Sequence, residues 1–206
     1  METDESLVHR LAAGERAALA TLFARHRDFV FRVALGLAGR REEAVDIVQD
    51  VFVALLETPP RLRAGGGQLT TWLYRVARNR ALDGRRKLAR AGARRAGVPF
   101  SRGTTSPEDA LLAAERHAAL LVQLRTLPPR PREVFVLRIG LGLSVEQTSR
   151  LAGCRPGAVR RALHKAGRML RERLSSAREG RQEEEREEDE EEEEERDGHS
   201  PAVVAE

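Results

Sequence analysis

Apolar residues in this chain recur three and four positions apart, in stretches that proline or glycine cuts off, and this spacing dictates helices. Leu19, Leu22, Phe23, Val30, Val33 and Leu37, with His26 among them, make one such stripe, as one face of a helix requires. Gly36 and Gly39 weaken that helix near its end. A second stripe runs through Ala44, Ile47, Val48, Val51 and Leu55 and stops at Thr58-Pro59-Pro60. A loop from Pro59 to Gln68 contains three consecutive glycines, Gly65 to Gly67, and a third stripe follows through Leu69, Trp72, Leu73, Val76 and Ala77. With only 8 aromatics in 206 residues, Leu, Ala and Val must fill the core, which favours small helical domains over a β-sandwich. The expected fold class is all-α.

Between residues 91 and 105 the periodicity fails and Gly, Arg, Ser and Thr dominate, as in a flexible linker. Ser106-Pro107-Glu108-Asp109 then reads as a helix start, with a capping hydroxyl, Pro in the first turn and acids facing the dipole. Leu111, Ala114, Ala118 and Leu121 continue it as far as the break at Leu127-Pro128-Pro129-Arg130-Pro131. A short helix carries Val134 and Leu137, and Ser144-Val145-Glu146-Gln147 has the form of a capping box. Gly153 ends the capped helix, and Pro156 opens a last one with Val159, Leu163, Ala166 and Leu170 on its apolar seam. The expected organisation is two small helical domains, 1–90 and 106–178, joined by the linker 91–105 and followed by a disordered acidic tail, 179–206.

Charge is distributed unevenly. Residues 180–206 hold three Arg against fourteen Asp or Glu, a balance of −11, and the preceding 179 carry 33 basic against 18 acidic residues, or +15. A folded part so basic calls for a polyanionic partner, most plausibly nucleic acid. No run of 18 apolar residues is present, so membrane insertion is not expected. The segment METDESLVHR is acidic and polar, unlike a secretory signal. Cys154 is the sole cysteine, which excludes an internal disulfide and a cysteine-cluster metal site. The expected location is cytoplasmic, with no cofactor, no metal and no catalytic residue.

Ser144 to Lys165 has the shape of a helix-turn-helix. With Val159, Leu163 and Ala166 turned inward, Gly157, Arg160, Arg161, His164 and Lys165 lie outward or on the flanks. Such groups near the N-terminal end of a helix suit base edges and phosphates of the major groove; a solvated basic helix is the plainer alternative. A second basic element, Thr70 to Arg90, holds seven basic residues against one acid between Arg75 and Arg90. Trp72 and Tyr74 just ahead of them suggest single-stranded DNA, with bases on rings and phosphates on guanidinium groups. Trp72 sits on the apolar stripe and reads equally as core, whereas Tyr74 is off the stripe.

Four stretches occur in order: EEAVDIVQDVFVALLE, TTWLYRVARNRALD, LPPRPREVFVLRIGLGLS and CRPGAVRRALHKAGRMLRERL. Together they resemble the small bacterial sigma factors of the extracytoplasmic-function (ECF) group, over about residues 4 to 175. The resemblance implies a first domain that binds core RNA polymerase and the −10 promoter element, and a second that binds the −35 element. It implies that Asp46, Gln49 and Asp50 contact the polymerase. It further implies that Tyr74, Arg75, Arg78, Asn79 and Arg80 face the non-template strand of the −10 element, with the 59–68 loop receiving a flipped base. Arg155, Gly157, Arg160, Arg161, His164 and Lys165 would serve the −35 duplex, and an anti-sigma factor is a further candidate partner. Three positions depart from the family pattern: Arg155 stands for a capping Ser or Thr, Ala158 for a common Thr, and Thr148 for an aliphatic residue.

Three rival readings fare worse. An ordinary helix-turn-helix regulator leaves the basic element at 70–90 unexplained. A nucleotide hydrolase fails because Gly65 to Gly67 lack the Lys-Ser/Thr ending of a phosphate loop. A nucleic-acid packaging protein would bind duplex without sequence preference. The charge split suggests that the tail folds back on the basic surface. Deleting residues 180–206 should therefore raise the free protein's affinity for DNA at low salt, with the difference shrinking as salt screens it. Equal affinities of the full and shortened chains in a low-salt titration would show a tail that touches nothing.

Overall fold

The computed structural model describes the backbone of residues 2–62, 68–90 and 119–197. The linker, the helix start at Ser106, the positions Leu111, Ala114 and Ala118, and Gly65 to Gly67 lie outside the described residues. Helices come in the order α1 (Asp4–Ala12), α2 (Ala17–Ala38), α3 (Arg41–Glu57), α4 (Gln68–Arg90), α5 (119–126), α6 (Pro129–Phe135), α7 (Val145–Ala152) and α8 (Pro156–Asp197). Between α6 and α7 a π-helical turn spans Val136–Gly140. No strand occurs among the described residues. The chain forms two units, residues 1–167 and 168–206.

In the first unit, α2 is the central post, packed by α1, α3 and α4. Its Leu22, Val30, Val33 and Leu37 are buried, as are Val48, Val51 and Leu55 of α3 and Leu69, Leu73 and Ala77 of α4. Each such Val or Leu side chain contributes about 1.5–3 kcal/mol by leaving water. Phe23 is half exposed and meets Phe52 edge to face, with ring centroids 4.8 Å apart. Helix α1 was not visible as a stripe. It starts on a Thr3 cap, whose hydroxyl accepts from the Ser6 amide at 3.2 Å, and is tied to α2 by Asp4, 2.7 Å from His26 and 3.0 Å from Arg25.

The two glycines of α2 are there for more than a weak helix end. Gly39 adopts a left-handed φ of 78° that stops the helix, and a Cβ there would lie 2.3 Å from Cγ of Arg125 in α5. Gly36 is inside the helix, where a Cβ would lie 2.5 Å from a methyl group of Val136. Both let the second half of the chain approach the α2 backbone, a use of glycine that periodicity does not reveal. The short helix expected around Val134 and Leu137 is therefore two pieces, α6 and the wider π turn, both in contact with α2. Gly140 in that turn accepts a hydrogen bond from Arg32 of α2.

Helix α7 bears the expected capping box: the Gln147 amide donates to Ser144 Oγ at 3.1 Å, and the Ser144 amide to Gln147 Oε1 at 2.7 Å. Gly153, at φ 61°, ends it, and α8 starts at Pro156. The backbone of α8 stays helical to Asp197 and so enters the Glu-rich block. From the sequence this block is expected to be disordered, because it has no core to bury; Glu and Arg favour helix intrinsically, yet a solitary helix without apolar packing is only marginal in water.

Thr148, out of pattern in the sequence, is fully buried in α7, and its hydroxyl has no hydrogen-bond partner. A buried unpaired hydroxyl costs about 1–3 kcal/mol, and Val is nearly its shape with a similar helix propensity. Thr148→Val should raise stability by about 1 kcal/mol, read as a higher urea midpoint. An unchanged or lower midpoint would mean that the hydroxyl is satisfied.

Candidate nucleic-acid interface

The turn at Gly153 sets α7 and α8 as the two arms of a helix-turn-helix. The Arg155 carbonyl accepts from the amides of Ala158 at 2.9 Å and Val159 at 3.2 Å, which fixes the first turn of α8. Val159 and Ala166 are buried and Leu163 is half-buried, so the seam read from the sequence faces inward. Arg155, Arg160, Arg161, His164 and Lys165 are all exposed, with Gly157 half-buried between them. A Cβ at Gly157 would meet the Arg161 guanidinium at an ordinary contact distance of 3.6 Å. The result is a cationic rim at the N-terminal end of a helix, the placement that major-groove contacts need.

Helix α4 is different. Arg75, Asn79 and Arg80 are exposed, and Arg80 lies 3.5 Å from Asp50 of α3. Tyr74 is a correction to the sequence reading, because only 1% of it is exposed. It is off the stripe that faces α2 and α3, but α6 covers that second side. There its hydroxyl donates to Oε1 of Glu133. Arg78 donates from Nε to the same oxygen at 2.6 Å, and Arg130 donates from Nη1 to Oε2 at 2.8 Å. Burial, and next the Glu133 charge, push the Tyr74 hydroxyl well above its ordinary pKa, so it stays a proton donor. Of the five positions expected at the −10 element, Arg75, Asn79 and Arg80 are exposed on α4, and Tyr74 and Arg78 are engaged by Glu133.

Glu133 and its neighbour Arg132 are absent from the candidate residues read from the sequence, although both are buried. The available signal was their place in PREVFVL: Glu133 precedes Val136 and Leu137 by three and four, which puts a carboxylate on an apolar stripe. Arg132 donates to the carbonyls of Leu37 at 2.9 Å and Leu127 at 3.4 Å, while its Nε has no partner. Burial, with smaller contributions from Arg85 and Arg125, lowers its pKa to about 9. The Leu37 contact places the cation at the C-terminal end of α2, where the helix dipole is negative.

On α3, Asp46, Gln49 and Asp50 are exposed together with Val45 and Val53. This is an acidic face with apolar spots, suited to a protein rather than to DNA. Among the described residues there is no helix long and apolar enough to cross a membrane, and no group of three His, Cys, Asp or Glu that could hold a metal.

Comparison with known proteins matches this geometry to one family. Residues 22–91 match the family model of Sigma-70 region 2, and residues 117–170 that of Sigma-70 region 4. The chain is 30% identical over 179 residues to the ECF RNA polymerase sigma factor SigD of Mycobacterium tuberculosis, covering 84% of each chain. It is 33% identical over 182 residues to the ECF RNA polymerase sigma factor ShbA of Streptomyces griseus, covering 81% of this chain and 92% of that one. Among solved structures, CnrH in complex with the cytosolic domain of CnrY is similar, with a TM-score of 0.61 and 26% identity over 85% of this chain and 99% of that chain. The sigma factor RpoE of Bartonella quintana, solved with the anti-sigma factor NepR, shares the fold with a TM-score of 0.58 at 22% identity, over 76% of this chain and 96% of that chain.

Replacing Arg160 and Arg161 by Ala should weaken binding to the upstream duplex. A guanine read bidentately takes about 1–3 kcal/mol of discrimination with it. Core-polymerase binding should be unaffected, since neither side chain is on α3. A double variant with full affinity and unchanged sequence preference would remove α8 from the interface.

Proposed function

The chain belongs to the ECF group of RNA polymerase sigma factors, and on that premise we propose which of its surfaces meets which partner. As a sigma factor it binds core RNA polymerase, directs it to specific promoters and assists DNA opening at initiation. It is not an enzyme, because bond formation belongs to the core. We assign Asp46, Gln49 and Asp50 of α3 to the polymerase. Helix α4, with Arg75, Asn79 and Arg80 exposed and Tyr74 and Arg78 held by Glu133, is assigned, together with the 59–68 loop, to the exposed non-template strand of the −10 element. Arg155, Gly157, Arg160, Arg161, His164 and Lys165 at the start of α8 are assigned to the −35 duplex. The protein acts in the cytoplasm, where its polymerase and promoters are, without a cofactor. An anti-sigma factor remains a candidate partner.

The observation that carries this reading is the chemical contrast between two exposed surfaces. The start of α8 is cationic, as phosphates demand, whereas the exposed face of α3 combines acids with Val45 and Val53. In vitro transcription with core polymerase, followed by mapping of start sites, tests it: specific starts should appear only when this protein is added.

Asp50→Arg tests the α3 assignment. An exposed ion pair such as that with Arg80 is worth only about 0–1 kcal/mol, so the variant should remain as helical and as stable as the parent. Like charges at the docking face should nevertheless reduce its competition for core polymerase. Undiminished competition would return Asp50 to an ordinary solvated surface.

A further inference from the structure

We propose that Glu133 occupies, with its own carboxylate, the place on α4 that a backbone phosphate of unpaired promoter DNA takes, so that the second half of the free chain must move off the first before α4 can hold a strand. The inference rests on the assignment of α4 to the non-template strand. It goes beyond it by naming the phosphate donors, their internal occupant and the seam that opens.

The donor set supports this directly. A phosphate contact in a single-strand groove needs cationic and hydroxyl donors aimed at one point. Tyr74 Oη and Arg78 Nε converge on one oxygen of Glu133, and Arg130 holds the other. Tyr74 and Arg78 belong to the first half of the chain, whereas Glu133 belongs to the second. While Glu133 is seated, the ring of Tyr74 is covered and Nε of Arg78 is committed, so a base or a phosphate must displace the carboxylate to gain both. Beside the carboxylate is an open cavity of about 420 Å³, walled by Arg75, Arg78 and Arg130 as well as Glu133. A phosphate could enter there against Arg75 and compete for Arg78.

The seam around this contact is built to separate. It has a close approach at Gly36 and Val136, and guanidinium-to-carbonyl ties from Arg132 to Leu37, Arg32 to Gly140 and Arg85 to Arg125. Against these stands the unpaired Nε of buried Arg132, with Arg85 and Arg125 close enough to repel it. Parting the halves returns that cation to water and recovers part of its desolvation cost.

The position of Gly36 offers the test, because the three atoms nearest a Cβ there all belong to Val136. In the full chain with Cys154→Ser, Gly36→Cys with Val136→Cys should form a disulfide that locks the seam. The built Cβ of residue 36 is 3.2 Å from Cβ of Val136, so the two must part by a few tenths of an ångström to reach the roughly 3.5–4.5 Å of a disulfide. Gly36→Leu should force the seam open while improving the helix propensity of α2. The probe is a fluorescein-labelled single strand of mixed sequence, titrated at low salt. If about a tenth of free molecules are open, Gly36→Leu should bind about tenfold more tightly than the parent. The oxidised double variant should bind most weakly and recover on reduction. Equal binding by its oxidised and reduced forms, or no gain in Gly36→Leu, overturns the proposal. Adding Arg78→Ala separates the two layers. If it weakens every form alike while the disulfide has no effect, the α4 assignment stands and the internal occupant is wrong. If it changes nothing even in Gly36→Leu, the α4 assignment itself fails.

Discussion

Two adjacent buried charges on α6 hold the halves of this protein together, and they do so on opposite terms. Glu133 has three donors for its two oxygens, from Tyr74, Arg78 and Arg130. Arg132 has two carbonyls, an unpaired Nε and other arginines nearby. Its pKa, lowered to about 9 from the usual range above 12, means that the folded state disfavours the proton. This cation opposes folding at neutral pH, and the penalty is relieved only as the solution rises through that value. A buried ion pair is weak evidence for net stability, since its desolvation cost can exceed its attraction. What it enforces is geometry: a misplaced α6 leaves a carboxylate and a guanidinium buried without partners. Register at this seam is therefore defined by polar groups, while the bulk of the favourable energy comes from the apolar stripes of α2, α3 and α4.

That distinction explains what could be read from the sequence. The stripes Val30-Val33-Leu37, Val48-Val51-Leu55 and Leu69-Leu73-Ala77 needed only local spacing, and so did the capping box at Ser144 and the stop at Gly153. The exposed rim of α8 followed from the same spacing, because burying Val159 and Ala166 leaves Arg160, Arg161, His164 and Lys165 no other direction. Tyr74 could not be placed that way. Its partner is 59 residues further along the chain, and no periodicity within α4 announces which second surface covers it. Gly36 was read as a helix weakness for the same reason, since its use depends on Val136. Thr148 is the instructive exception: its sequence already conflicted with an apolar position, and the structure has that conflict as an unpaired buried hydroxyl.

The two surfaces assigned to DNA differ in how much of them is exposed. Arg155, Arg160, Arg161, His164 and Lys165 are all exposed, so duplex recognition asks no rearrangement of the first unit. On α4, Arg75, Asn79 and Arg80 are exposed, Arg80 beside Asp50, but Tyr74 and Arg78 are engaged by Glu133. A subunit in this arrangement can meet phosphates of a closed duplex with its second half before its first half is able to grip an opened strand. The order suits a protein whose first 179 residues carry a charge of +15. Such a surface binds any polyanion through counterion release, without regard to sequence. Single strands are the greater hazard, because stacking adds to that binding and tolerates every base. A carboxylate from within the chain counters both effects at once. It neutralises the donors that would take the phosphate, and it brings α6 over the ring on which a base would rest.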